Sequence, residues 1–167
     1  PSMDGLARAK GGKGPAMLVV TPTRELAAQI AEVCQVVAKH TNLRVFSVVG
    51  GVSYNPQIAQ LRRGVDVLIA TPGRLVDLMQ QSAVNLADVR VLVLDEADRM
   101  LDMGFLPSVR KVVAATPQSR QTLLFSATID DSVMGQVGNL LKEPQFVEIA
   151  HKGETADTVD QYLVRIP

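Results

Sequence analysis

The chain carries a single cysteine, Cys34, so no internal disulfide forms. That fits a reducing compartment, and an isolated cysteine in an apolar stretch reads as a small core residue. Tryptophan is absent and aromatic residues make up only 4%, so the core must be aliphatic. Neither sign of charge prevails: 17 lysines and arginines face 17 aspartates and glutamates, for a formal net charge of zero. This argues against a basic arm, a polybasic membrane patch or an acidic tail. It leaves nucleic acid open, because a few placed arginines can meet phosphates without dominating the sum. No uninterrupted apolar run approaches the ~18 residues of a membrane span, and no charged-then-apolar leader opens the chain. The expectation is a cytoplasmic domain with no membrane partner. What is present is length for one domain, 167 residues, and 47% apolar residues, enough for one packed core.

Residues 1–15 are broken by Gly5, Gly11, Gly12, Gly14 and Pro15 and read as a flexible loop. Short aliphatic runs then alternate with segments of helical period. The runs are Met17–Thr21, Val45–Val49, Val67–Ala70, Val91–Asp95, Thr122–Ser126 and Gln145–Ile149. They lack polar alternation, so they are expected to be strands buried on both faces. In the segment Glu25–Lys39, Leu26, Ile30, Val33 and Val37 fall on one helical face. Val133, Val137, Leu140 and Leu141 do the same in Asp131–Leu141. Shorter helices are expected over Pro56–Arg63, Arg74–Gln81, Ala97–Met103 and Leu106–Ala115. This alternation predicts an α/β fold with a mostly parallel sheet and helices on both faces. Ligands in such folds bind beyond the carboxyl ends of the strands, so the residues after each run are the ones to read.

Val91–Leu94 runs into Asp95-Glu96-Ala97-Asp98. A carboxylate at a strand tip is rigidly held and suits Mg²⁺, which takes one or two carboxylates and keeps several waters. Asp95 could hold the ion through one of those waters, while Glu96 orients or deprotonates an attacking water. An acidic first turn favoured by the helix dipole is the competing explanation. Two further strand ends, Thr21-Pro22-Thr23-Arg24 and Thr71-Pro72-Gly73-Arg74, place hydroxyl, proline and guanidinium at a helix start. Each is either a phosphate cradle or ordinary capping with proline in the first turn. Gly50-Gly51 permits close backbone approach to a ligand, or simply a tight turn. Ser126-Ala127-Thr128 offers two hydroxyls that could bond the carboxylates of the 95–98 segment, or cap a helix.

Taken together and in this order, these blocks closely resemble the first RecA-like domain of DEAD-box RNA helicases. The matching residues are 22–29 (Pro22 through Gln29), Gly50-Gly51, Thr71 through Arg74, Asp95 through Phe105 and Ser126 through Thr128. The resemblance implies a P-loop-type RecA-like sandwich over 16–150, with 151–167 opening the interdomain linker and second domain. It implies ATP and Mg²⁺ as cofactors and RNA as partner, with ATP hydrolysis coupled to RNA binding and local unwinding. By resemblance Asp95 handles Mg²⁺, Glu96 positions the hydrolytic water, and Asp98, Ser126 and Thr128 couple the nucleotide site to duplex opening. Pro22, Thr23, Arg24, Gly51, Thr71, Gly73 and Arg74 would meet the RNA sugar-phosphate backbone. Such contacts carry no base information, so little sequence preference is expected.

One family element has no match. A P-loop reads Gly, four residues, Gly-Lys-Ser/Thr; here Gly12-Lys13 is followed by Gly14 and preceded five places earlier by Ala7. The chain therefore resembles a domain truncated at its N-terminus, missing the P-loop strand and the second RecA-like domain, and inactive alone. Loss of an internal strand is expected to leave unpaired backbone groups in the sheet and to promote self-association. A noncatalytic RNA-binding or interaction module of the same fold is the alternative, as is a DNA-directed relative. The intact Asp95, Glu96, Ser126 and Thr128 favour the enzyme, since a pure binding module gains nothing from paired carboxylates at a strand tip.

Overall fold

The computed structural model describes residues 14–149 and 161–165. The elements in chain order are β1 (Met17–Val20), α1 (Arg24–Ala38), β2 (Val45–Val48), α2 (Tyr54–Arg62), β3 (Val67–Ala70), α3 (Pro72–Gln80) and β4 (Val91–Leu94). They continue with α4 (Ala97–Asp102), α5 (Leu106–Ala114), β5 (Gln121–Ser126), α6 (Asp131–Val137), a 3₁₀ turn at Gly138–Leu140, β6 (Gln145–Ile149) and β7 (Gln161–Arg165). The seven strands join one sheet of order β2-β3-β1-β4-β5-β7-β6 among the described residues. The pairs β2–β3, β3–β1, β1–β4 and β4–β5 are parallel. Strand β7 is antiparallel to both neighbours, so β6 runs in the direction of the other five. The six strands read from the sequence thus point one way, and their carboxyl tips reach a common rim.

The central strands β3 and β4 are buried throughout and β1 nearly so, as continuous aliphatic runs require. Edge strand β2 is only half-buried, and β5 alternates half-buried with buried positions. The register aligns Phe46, Leu68, Leu18 and Leu92 in a row across four strands, the last three fully buried. That face packs on α2, α3, α4, α5 and α6 through residues such as Leu61, Leu75, Leu78, Met100, Val112 and Val133. The opposite face, Val19, Val67, Ile69, Val91 and Val93, packs on α1.

Two expectations are corrected here. Of Leu26, Ile30, Val33 and Val37, helix α1 turns Val33 and Val37 away from the sheet, while Ile30 packs half-buried at the edge of the core. Its buried residues are Ala27, Ala31, Cys34 and Ala38, while Val33 is 66% exposed and Val37 40%. Both sets have the same spacing and differ by one residue, or about 100° of rotation. Small side chains let the helix axis approach the sheet closely, and that choice outweighs the larger hydrophobes. The burial expected of Cys34 holds. The second correction concerns the sheet, in which loss of an internal strand is expected to leave backbone groups unpaired. At β5 they are paired instead, from Leu123 with Arg165 to Ser126 with Tyr162 on β7. Residues 161–165 lie in this same sheet. The loop assigned to residues 1–15 falls outside the described residues as far as residue 13, as does the segment 150–160. Among the described residues no helix is long and apolar enough to cross a membrane.

Candidate functional site

The rim is assembled by register. Leu94 pairs with Val20 and with Leu124, and Val20 pairs with Ala70. The next residues continue the ladder, since Asp95 N–H donates to Val20 O and Thr21 N–H to Ala70 O. Asp95, Thr21 and Thr71 therefore stand side by side. The hydroxyl of Thr21 is fully buried and has no hydrogen-bond partner among the described residues.

Asp95 is half-buried, and its Oδ1 accepts from the Glu96 N–H at 3.0 Å. Burial is the main cause that pushes its carboxyl above the ordinary value, helped by the charge of Glu96 and opposed by that N–H. Glu96 occupies left-handed backbone at φ 50°, ψ 53°. A non-glycine residue held there is strained, a condition common where a side chain is aimed for function. Its carboxylate meets Arg99 Nη1 at 3.3 Å in an exposed pair, a contact too weak to immobilise it. Helix α4 then closes in a Schellman motif: Gly104, at φ +78°, donates to Leu101 O and Phe105 to Met100 O.

Strand β5 is latched to this segment. Asp98 N–H donates to Ser126 Oγ at 3.2 Å, Ser126 Oγ donates to Thr128 O at 2.6 Å, and Thr128 Oγ1 donates to Asp98 Oδ2 at 3.1 Å. Of the two hydroxyls expected to reach the acidic segment, Thr128 thus meets a carboxylate and Ser126 a backbone N–H. Asp95, Glu96, Asp98, Arg99, Phe125, Ser126 and Ala127 line a cleft of about 410 Å³. Among the described residues no group of three or more potential metal-ligating side chains gathers. Mg²⁺ binds through one or two carboxylates and retains water. Asp95 Oδ2 has no hydrogen bond among the described residues and fits that demand.

The second half of the rim holds the residues expected to meet phosphate. Thr23 caps α1 by accepting from Leu26 N–H at 3.3 Å, so the capping explanation holds for its hydroxyl. Arg24 is exposed and reaches across the tip of β3 to Gly51: a Cβ on Gly51 would lie 2.7 Å from Arg24 Nη1. Gly51 has φ +76°, backbone suited to glycine. Thr71 precedes α3 but makes no side-chain cap; its Oγ1 accepts from Gly50 N–H at 3.2 Å. Gly73, in the first turn of α3, has nothing within 4 Å of its Cβ position, so the space beside this residue is open. Pro22 is buried, and Arg74 is only 7% exposed with Nη1 donating to Val52 O and Gln57 Oε1. The expected array thus divides into a surface layer of Arg24, Gly51 and Gly73 and a buried layer of Pro22, Thr71 and Arg74. The left-handed backbone of Glu96 and the burial of Gln57 beside Arg74 have no signal in the periodicity of the sequence.

A mostly parallel sheet whose central strand ends in paired carboxylates, latched to hydroxyls on the next strand, is the architecture of a RecA-like α/β domain. The DEAD/DEAH box helicase family model matches residues 2–136. The chain belongs to that family. It is 47% identical over 155 residues to the ATP-dependent RNA helicase RhlB of Pseudomonas aeruginosa, covering 91% of this chain and 39% of that protein. It is 44% identical over 149 residues to the DEAD-box ATP-dependent RNA helicase CshA of Streptococcus pneumoniae, covering 89% and 28%. Among solved structures it resembles the yeast DEAD-box splicing factor Prp28, with TM-score 0.75 and 33% identity over 84% of this chain and 35% of that one. The chain thus spans about two fifths or less of the length of these relatives.

Asp95 also allows a test of the site's electrostatics. Its carboxyl is raised from the ordinary 3.8 by burial, so the folded chain binds the proton more tightly than the unfolded one. Stability therefore falls as pH rises from about 3.8 through the raised folded value, and the deficit is complete above it. Asp95→Asn keeps an acceptor for Glu96 N–H and removes the buried charge. It is expected to melt above the wild type at pH 7 in Mg²⁺-free buffer and to lose that advantage below about pH 3.8. Thermal denaturation across pH checks this.

Proposed function

We propose that this chain supplies the catalytic-carboxylate half and part of the RNA-binding surface of an ATP-dependent RNA helicase. The observation that carries the proposal is the rim itself: Asp95 and Glu96 stand at the tip of β4, the Ser126–Thr128 latch at the tip of β5, and the Arg24–Gly51 corner spans the tips of β1 and β2 on the other side of β4. ATP, bound with Mg²⁺, supplies a phosphoanhydride to be cleaved by water. Asp95 would hold the ion. Glu96, projecting from strained backbone into the cleft, orients the attacking water and takes its proton. The Asp98–Ser126–Thr128 latch ties the tips of β4 and β5, so that a displacement on the nucleotide side moves both strands and carries over to the RNA side. Arg24, the Gly51 turn and Gly73 at the start of α3 meet sugar and phosphate rather than bases. A second RecA-like domain is the partner this arrangement calls for.

Binding of single-stranded RNA as a function of salt tests the RNA half. Affinity should fall linearly on a log–log plot, and Arg24→Gln should reduce the slope by about 0.7, the value for one neutralised phosphate on a single strand. Homopolymers of different base should bind alike. A flat salt response would remove the phosphate-binding interpretation of the rim.

A further inference from the structure

Beneath the turn formed by residues 49–52 lies a cluster of side chains that none of the chemistry above uses. Arg74 Nη1 donates to Val52 O at 2.9 Å and to Gln57 Oε1 at 3.0 Å. Gln57 Nε2 donates onward to Val49 O at 3.1 Å. The Arg74 guanidinium carbon sits 3.8 Å from the centre of the Tyr54 ring, and the Tyr54 hydroxyl donates to Asp77 Oδ2 at 2.8 Å. Both ends of the turn are thus held, at Val49 by Gln57 and at Val52 by Arg74, while Thr71 holds Gly50 between them. Arg74 is 7% exposed and Gln57 5%.

A guanidinium that serves a phosphate must present its donors to solvent, in the fork that suits an anion. Arg74 instead spends Nη1 on two internal oxygens and lays its plane against an aromatic ring. A glutamine as deeply buried could not reach RNA at all, yet it completes the same chain of bonds. Gly51, the residue so suspended, is the one against which Arg24 rests.

We propose that Arg74, Gln57, Tyr54 and Asp77 are positioning residues. They clamp the 49–52 turn, and through Gly51 the guanidinium of Arg24, in the geometry that meets a phosphate backbone, while Arg74 makes no phosphate contact of its own. This rests on the RNA-binding reading of the rim.

The test is a salt titration of the full chain against a fluorescent uridine oligomer, with folding of each variant verified by circular dichroism and thermal melting. Arg74→Met should weaken binding about tenfold at fixed salt, the loss of one or two neutral backbone contacts. The slope should stay unchanged, because Arg24 keeps its charge and its flexible stem. A slope reduced by about 0.7 would make Arg74 a direct phosphate contact and overturn the proposal. Gln57→Met carries no change of charge and should weaken binding alike, with the slope again unchanged. A folded Gln57→Met that binds RNA as the wild type does would overturn it as well, and this variant decides the matter if Arg74→Met does not fold. Hydrogen exchange separates this proposal from the reading it rests on. The Gly50 amide should exchange at least about tenfold faster in Gln57→Met. A wild type that shows no salt-dependent RNA binding, with Gly50 exchange accelerated in the variant, would sink RNA binding but leave the clamp standing. Unaltered Gly50 exchange would sink the clamp.

Discussion

Incubated with Mg²⁺-ATP and RNA, this chain by itself is expected to release phosphate no faster than buffer. The described rim carries Asp95, Glu96 and the Asp98–Ser126–Thr128 latch, to which the proposed function assigns the metal, the water and the transmission of movement. It has no backbone cradle for the β- and γ-phosphates, because no Gly-x₄-Gly-Lys-Ser/Thr occurs anywhere in the sequence. A hydrolytic water poised by Glu96 has little to attack if the phosphoryl group is not held in line. In related NTPases an arginine finger alone is worth ~10³–10⁵ in rate, and such a finger would have to come from another domain. Calorimetric titration should detect no micromolar ATP binding, and a coupled phosphate assay no RNA-stimulated turnover. Micromolar, Mg²⁺-dependent binding would show that the cleft beside Asp95 holds triphosphate by means other than a P-loop. Loss of that binding in Asp95→Asn would locate it.

What could be read from the sequence and what could not divide along physical lines. Strand positions were legible because β1, β3 and β4 are central in a parallel sheet, covered on both faces, and carry continuous Val, Leu and Ile. Their tips were legible for the same reason: where the aliphatic run stops, the rim begins. The coupling of Asp98 to Thr128 could be anticipated because neighbouring parallel strands must end together. The helix boundaries came within about two residues, apart from Asp131–Leu141, which ends as α-helix at Val137 and continues as a 3₁₀ turn at Gly138. The pairing of β7 was not legible, because it depends on which flank of the sheet is vacant rather than on any local pattern. Nor was the burial of Arg74. A threonine, proline, glycine and arginine at a strand end look the same whether the arginine faces outward to a phosphate or inward to Val52 O and Gln57. Only the neighbouring turn decides, and that turn comes from residues some twenty positions earlier.

Leu92→Ala is expected to cost about 2–5 kcal/mol, a large share of the stability of an ordinary domain. Leu92 is fully buried in the middle of β4. It is in register with Leu18 on one side and Thr122 on the other, and it packs in the same core as Leu75, Val109 and Val112 from α3 and α5. Flanked by strands and capped by helices, the site has little freedom to collapse, which places the cost toward the upper part of that range. For a chain of this size the melting temperature should fall by about 5–20 °C. The contrast is Val33→Ala on α1. The heptad-like spacing assigns Val33 to the core, yet it is 66% exposed, so its truncation should change stability by less than about 0.5 kcal/mol. A slight gain is consistent with the better helix propensity of alanine. Measured together by denaturant titration, the two variants decide which side of α1 faces the sheet. A loss at Val33 comparable to that at Leu92 would rotate α1 by about 100°, lift Ala27, Ala31 and Ala38 out of the interface, and shift the start of the helix where Thr23 and Arg24 present the rim.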